Sequence, residues 1–271
     1  MKKRQLVGIL NCSPDSYFEG GRFGDPEAAI QYGLQLFEQG ADIVDIGGES
    51  TRPGSNVAVP YREELRRVIP VIQGIRKKTD RPLSIDTYKP EIAKAALDEG
   101  VNWINDITGL SNPLMQELAR VSKAPCCIMH MYGSPHTTPS PHYPKGVVEE
   151  ILLFFRNRID HLIHVGIDPS QIILDPGIGG GAFGKSPEES LQILKNLKKF
   201  TLLGYPVFVS LSRKSFLQKI LQKPSSEVLS TTLGLNTMAL LEGASYIRVH
   251  DVAEHRDILT VFEKFDSVNF S

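Results

Sequence analysis

The chain has 271 residues, 41% of them hydrophobic and 23% charged, with a formal net charge of -1. That length can bury a full core in one large α/β domain or two small ones, and the near-neutral balance excludes a strongly basic nucleic-acid-binding domain. Cys12, Cys126 and Cys127 are the three cysteines, with two adjacent and no C-x-x-C, which excludes a disulfide framework and a cysteine zinc site and fits a reducing, cytoplasmic setting. The opening MKKRQLVGILNCSPDS is basic, but its apolar run is too short for a signal sequence or a membrane span. A soluble chain that begins at its natural start, with no membrane partner, is expected.

QLVGILN supplies the first strand, centred on 6–11. DPEAAIQYGLQLFEQG follows as a helix, with Asp25 as N-cap, Pro26 at its first position and Gly40 just past its end. Further strands are predicted around 42–47, 83–87, 103–107, 126–131, 172–176, 206–211 and 246–250, with helical patterns between them. KPEIAKAALDEG and SPEESLQILKNLKKF repeat the proline opening, and the last helix lies near EHRDILTVFEKF.

One theme recurs along this order. A helical pattern ends at glycine, and an apolar run rich in Ile and Val follows and closes on a polar residue, as in EQGADIVDIGGES and LEGASYIRVHD. Glycine suits the left-handed position after a helix, and nearly continuous apolar runs suit parallel strands buried on both faces. Eight such units predict a (β/α)8 TIM barrel, a single domain over 1–271. An open doubly wound sheet is the alternative. The polar strand ends favour the barrel, which gathers all its strand C-termini at one mouth. The Pro- and Ser-rich MYGSPHTTPSPHYPKG is expected to lie over that mouth.

DPGIGGGAFGKS contains a literal P-loop match, G-x-x-x-x-G-K-[ST], from Gly179 to Ser186. Its context opposes a nucleotide site. Ser186 has the place of an N-cap, Pro187 of the first helical residue and Glu189 of the capping-box partner, so the hydroxyl goes to backbone amides rather than to Mg2+.

The polar strand ends, in order, are Asn11, Asp45 with Glu49, Asp86, Asn105 with Asp106, His130, Asp175, Ser212 with Lys214, and Arg248 with His250. Asp86, Asn105 and Asp175 suit a flat ligand that presents several N–H donors. Lys214, Arg248 and His250 suit an anion, and Arg can grip a phosphate with two N–H groups. A heterocycle carrying a phosphoryl leaving group satisfies both halves. His130, His136 and His142 lack the spacing of a zinc site, Cys12 has no evident base beside it, and Trp103 fits barrel packing.

GILNCSPDSYFEGG, DIVDIGGESTRPG, SIDTYKPEIAKAALDEG, NWINDITGL, IMHMYGSP, ILDPGIG, SLSRKSF and YIRVHDV resemble, in order, the signature segments of the dihydropteroate synthase family. The resemblance implies an enzyme of folate biosynthesis that joins 6-hydroxymethyl-7,8-dihydropterin diphosphate to p-aminobenzoate, with Mg2+ and in a homodimer. It implies a pterin pocket of Asp86, Asn105, Asp175 and Lys214, Asn11 near Mg2+ and the diphosphate, and Arg248 and His250 on the phosphates. Thr51, Arg52 and Pro53 would close over p-aminobenzoate, with Ser212 near its carboxylate and Phe183 beside its ring. Asp86, Lys214, Arg248 and His250 would carry the catalysis.

The chain departs from the family pattern in two places. Glu19 stands where an Asp near Mg2+ is usual, and DPGIGGGAFGK is three residues longer than the usual segment. A methyltetrahydrofolate:corrinoid methyltransferase, on a similar barrel, and a non-catalytic pterin-binding paralogue are the alternatives.

Overall fold

In the computed structural model, residues 4–13, 25–49, 58–136, 141–179 and 183–268 are described. The strands are β1 (Gln5–Asn11), β2 (Ile43–Gly47), β3 (Leu83–Asp86), β4 (Trp103–Asp106), β5 (Cys126–Met129), β6 (Ile172–Asp175), β7 (Phe208–Val209) and β8 (Tyr246–Val249). Between and after them run α1 (Pro26–Glu38), α2 (Tyr61–Arg76), α3 (Pro90–Asp98), α4 (Pro113–Ser122), α5 (Val147–His164), α6 (Pro187–Lys195), α7 (Leu197–Thr201), α8 (Ser215–Leu221), α9 (Leu229–Leu241) and α10 (Val252–Ser267). The strands lie in the order β6-β5-β4-β3-β2-β1-β8-β7, and each pair is parallel. The two ends of that order meet: Leu174 N–H donates to Pro206 O at 2.9 Å, and Leu174 bridges Val207. The sheet therefore closes into a (β/α)8 barrel rather than staying open.

Local chemistry sets the element ends. The Asp25 side chain accepts the Glu27 N–H at the start of α1, and Gly40 beyond its end has φ +104. Ser186 and Glu189 form a complete capping box at the start of α6, at 3.1 and 2.6 Å. The single helix expected across SPEESLQILKNLKKF is instead α6 and α7, broken at Asn196. There φ is -111 and ψ is 19, and the Asn196 side chain bonds back to Gln192 O at 2.8 Å, competing with the helical ladder.

Strand alternation sorts the side chains into an outer and an inner set. Leu6, Leu10, Val44, Ile46, Leu83 and Ile85 pack outward under α1, α2, α3 and α10. Ile104, Cys126, Ile128, Ile172, Leu174, Val207 and Val209 pack outward under α4 to α9. Val7, Ile43, Trp103, Cys127, Ile173 and Phe208 share one apolar layer inside the barrel, with Tyr246 against them. Trp103 and Tyr246 meet edge-to-face at 5.0 Å, so Trp103 is barrel packing as its sequence setting predicts.

Candidate active site

Two residues on from that apolar layer, toward the strand C-termini, the inward positions turn polar on β2, β4, β6 and β8, and Asp86 at the end of β3 joins them, while β1 and β5 carry Ile9 and Met129 there. The polar positions hold Asp45 on β2, Asp86 on β3, Asn105 on β4, Asp175 on β6 and Arg248 on β8, and the ladders align Asp86 with Asn105. The period of two that fills the barrel thus brings together side chains far apart in sequence.

Arg248 lies at the centre of this layer. Its Nε donates to Asp45 Oδ2 at 2.6 Å and one Nη to Asp86 Oδ2 at 2.7 Å. Asn105 Nδ2 donates to the same Asp45 oxygen at 3.1 Å, while the fully buried Asp45 Oδ1 has no partner among the described residues. Loss of water pushes the Asp86 carboxyl up to about 7, with Arg248 pulling the other way and Asp45 adding to the rise.

Asp175 is buried at the end of β6, and its Oδ1 accepts the Gly177 N–H at 2.7 Å. Burial raises the Asp175 pKa, opposed by that N–H and by Lys214, Lys185 and Arg248. Gly177 has φ +70, and a Cβ there would lie 2.1 Å from His130 O, so only glycine fits this turn. His130 itself is buried with Nδ1 unpartnered among the described residues; burial drives its pKa down to about 2, and the ring is neutral.

At the mouth, the Phe183 ring joins Ile107 and Met129 in a small apolar wall, with Tyr88 and Met131 against it. Lys214 Nζ sits 4.9 Å from the centre of the Phe183 ring. Ser212 Oγ and His250 Nδ1 are 3.0 Å apart, and the His250 backbone N–H donates to the same hydroxyl at 3.2 Å. Asn11 ends β1, half-buried, and pairs in register with Gly47. Thr51, Arg52, Pro53 and Glu19 lie outside the described residues.

Among the described residues, no three His, Cys, Asp or Glu side chains are grouped to hold a metal. The His136 Nε2 is committed to Glu49 Oε1 at 2.5 Å. Glu49 also accepts from Lys89 and, at 3.2 Å, from the Tyr88 hydroxyl. Lys89 in turn reaches Glu64 Oε2 at 2.5 Å, and Thr87 donates to Glu64 Oε1 at 2.9 Å. Burial disfavours the Glu49 charge, but Lys89 and His136 outweigh it and hold the carboxyl below its usual range. Glu49, Glu64, Thr87 and Tyr88 of this network line a small cavity beside Asp86, together with Ile107. Sequence reasoning missed Glu64 and Lys89, because each is a helix-entry charge whose partner is on another βα unit. It also left Lys185 without a role, and Asp45 with none beyond its place at a strand end.

Comparison with known proteins agrees with this geometry. Residues 7–250 match the family described as "Pterin binding enzyme". The chain is 39% identical over 259 residues to a dihydropteroate synthase of Haemophilus influenzae, covering 96% of this chain and 93% of that one. It is 40% identical to a dihydropteroate synthase of Synechocystis over 96% and 89% of the two chains. The solved dihydropteroate synthase of Xanthomonas albilineans with 4-aminobenzoic acid superposes with a TM-score of 0.91 at 40% identity, covering 98% of this chain and 94% of that one. The same enzyme in complex with 7,8-dihydropteroate gives 0.87 at 38% identity, over 98% and 95%. A barrel whose mouth gathers Asp86, Asn105, Asp175, Lys214 and Arg248, matched along nearly its whole length, places the chain among the pterin-binding enzymes, as a transferase of the dihydropteroate synthase family.

Proposed function

We propose that the chain condenses 6-hydroxymethyl-7,8-dihydropterin diphosphate with p-aminobenzoate, releasing pyrophosphate. The observation that carries this reading is the single inward layer in which Asp86, Asn105 and Asp175 stand beside Lys214 and Arg248. Carboxylates and an amide suit the N–H edge of a pterin, and the cations suit its diphosphate. Breaking the bond between the pterin methylene and its oxygen leaves positive charge on the ring and negative charge on pyrophosphate. Asp86 and Asp175 stabilise the first, and Arg248 and His250 the second, with Lys214 assigned to the pterin pocket. The p-aminobenzoate amine then attacks the methylene and gives up one proton to the departing pyrophosphate or to solvent, with no covalent bond to the protein. Arg248 gives two of its N–H groups to Asp45 and Asp86, and the others are assigned to the diphosphate.

Mg2+ fits this site as a substrate-borne ion. Asn11 at the mouth would supply a protein oxygen to it, with the diphosphate and water completing its shell. When bound, it supplies charge neutralisation to the leaving pyrophosphate. Thr51, Arg52 and Pro53 are assigned to closure over p-aminobenzoate, Ser212 to its carboxylate and Phe183 to its ring.

A homodimer is part of the proposal. Apolar Ile220 and Leu221 on α8 and Met238 and Leu241 on α9 are exposed, and sedimentation of the purified chain tests whether they are covered by a second copy. A cytoplasmic location fits three buried free thiols and the absence, among the described residues, of any helix long and apolar enough to cross a membrane.

Pyrophosphate release on mixing the two substrates with Mg2+ tests the activity. Asp86→Asn and Arg248→Ala are each expected to lower turnover by about 100-fold or more. Unchanged turnover in either variant refutes the role assigned to that residue. Pterin binding without any turnover by the unaltered chain would identify a non-catalytic paralogue.

A further inference from the structure

Lys185 supplies the lysine of the P-loop-like run, yet it points away from solvent. Only 1% of the residue is exposed. Its Nζ donates to His130 O at 2.8 Å and lies 3.4 Å from Phe183 O. A Cβ on Gly177 would come within 2.9 Å of the same nitrogen. Three segments therefore converge on one ammonium: the end of β5, the turn after β6 and the residue bearing the Phe183 ring. The middle one is the turn whose Gly177 N–H holds Asp175 Oδ1 at 2.7 Å. Tyr132 N–H adds a backbone bond to Phe183 O at 3.2 Å, so the β5 and β6 loops are joined directly as well.

The charges around Lys185 come from each packed element. Asp175 on β6 favours its charged form, as does Glu189 on α6, while Lys214 before α8 opposes it. His130 on β5 faces it through a carbonyl and a neutral ring. Burial outweighs these and brings the ammonium down to about 7. Lys185 in turn lowers the pKa of Asp175.

We propose that Lys185 is a positioning residue for Asp175: it ties down the loop that orients the Asp175 carboxylate and supplies the positive charge behind it that keeps it ionised for the N–H groups of the pterin. The proposal rests on the pterin-binding reading of Asp175 given above. It assigns the lysine of the GKS triplet a target of main-chain carbonyls and a carboxylate, where a true P-loop lysine reaches phosphate.

The test is the pH dependence of 6-hydroxymethylpterin affinity, followed by ligand fluorescence between about pH 5 and 9. It compares the unaltered chain with Lys185→Met and with Lys185→Gln, which retains a donor for His130 O but no charge. The ionised carboxylate is the binding form, so affinity falls as pH drops through the Asp175 pKa. Removing a nearby positive charge raises that pKa, so the acid limb is expected to move up by about one pH unit in both variants. Affinity on the limb then falls about ten-fold. The profiles are expected to converge above about pH 8, where Lys185 itself is largely neutral. Asp86 also titrates in this range, but its charged neighbours are Arg248, Asp45, Glu64 and Lys214, so its share of the limb is common to all three proteins. A limb that does not move, an equal loss of affinity at every pH, or failure of both variants to fold would each overturn the proposal. No pterin binding by the unaltered chain would instead refute the pterin-site reading beneath it.

Discussion

At the scale of single residues, the centre of the site is a buried set of charges. Asp45 is almost completely enclosed, and its Oδ2 takes hydrogen bonds from both Arg248 and Asn105. Removing one partner of such a pair leaves the other buried without compensation, which costs about 3–5 kcal/mol. Asp45→Ala is therefore expected to lower unfolding stability in urea by about that amount, with Asp86 left as the one carboxylate hydrogen-bonded to Arg248 and Asp175 acting on it only through space. A change of less than about 1 kcal/mol would mean that Asp86 suffices. Every residue of this set is visible in the sequence as a polar strand end. The pairing is not, because Asp45 and Arg248 are 203 positions apart and only closure of the ladder from β2 through β1 to β8 puts them side by side.

At the scale of elements, the entry to α6 decides what the glycine-rich run does. The Ser186 hydroxyl accepts the Glu189 N–H, and the Glu189 carboxylate accepts the Ser186 N–H. Ser186→Ala is expected to cost about 1 kcal/mol of stability and to leave pterin affinity unchanged. If the same substitution abolished a measurable affinity for ATP, the run would be a nucleotide site after all. Caps of this kind are legible because both partners lie within one turn of chain, and so are the glycines that stop the helices. The break between α6 and α7 was not legible, since the preference of Asn196 for bonding Gln192 O competes with a helical pattern that continues on both sides.

For the whole molecule, the weakest line of the barrel is the seam between β6 and β7. The bond from Leu174 to Pro206 and the bridge to Val207 join them, whereas β1 and β2 pair over five residues. Native-state hydrogen exchange is expected to be about ten-fold faster at the Leu174 amide than at the amides of the β1–β2 ladder. Added pterin is expected to slow it, because Asp175 directly follows Leu174. Equal protection at both places would show that the seam opens only with global unfolding. The barrel itself was legible in sequence through the repeated helix, glycine, apolar run and polar end. β7 was the exception: its predicted span of 206–211 shrinks to Phe208–Val209, with Pro206, which has no N–H to donate, and Val207 joined to β6 only by the seam contacts and nothing in the structure explaining the loss at 210 and 211.

The alternation that turns Asp45 inward has a consequence for how the chain selects one fold. A slip of β2 by a single residue would send Val44 and Ile46 into the polar layer and drive the Asp45 carboxylate outward among the apolar side chains under α1 and α2. Arg248 would then lose one of its two carboxylates, and a charge would be stranded in hydrocarbon at a cost of several kcal/mol. Strands made almost entirely of Ile, Val and Leu discriminate poorly between neighbouring registers on hydrophobicity alone. The charges that we assign to the reaction also act as an alignment key, rejecting barrels built from the same strands in the wrong step.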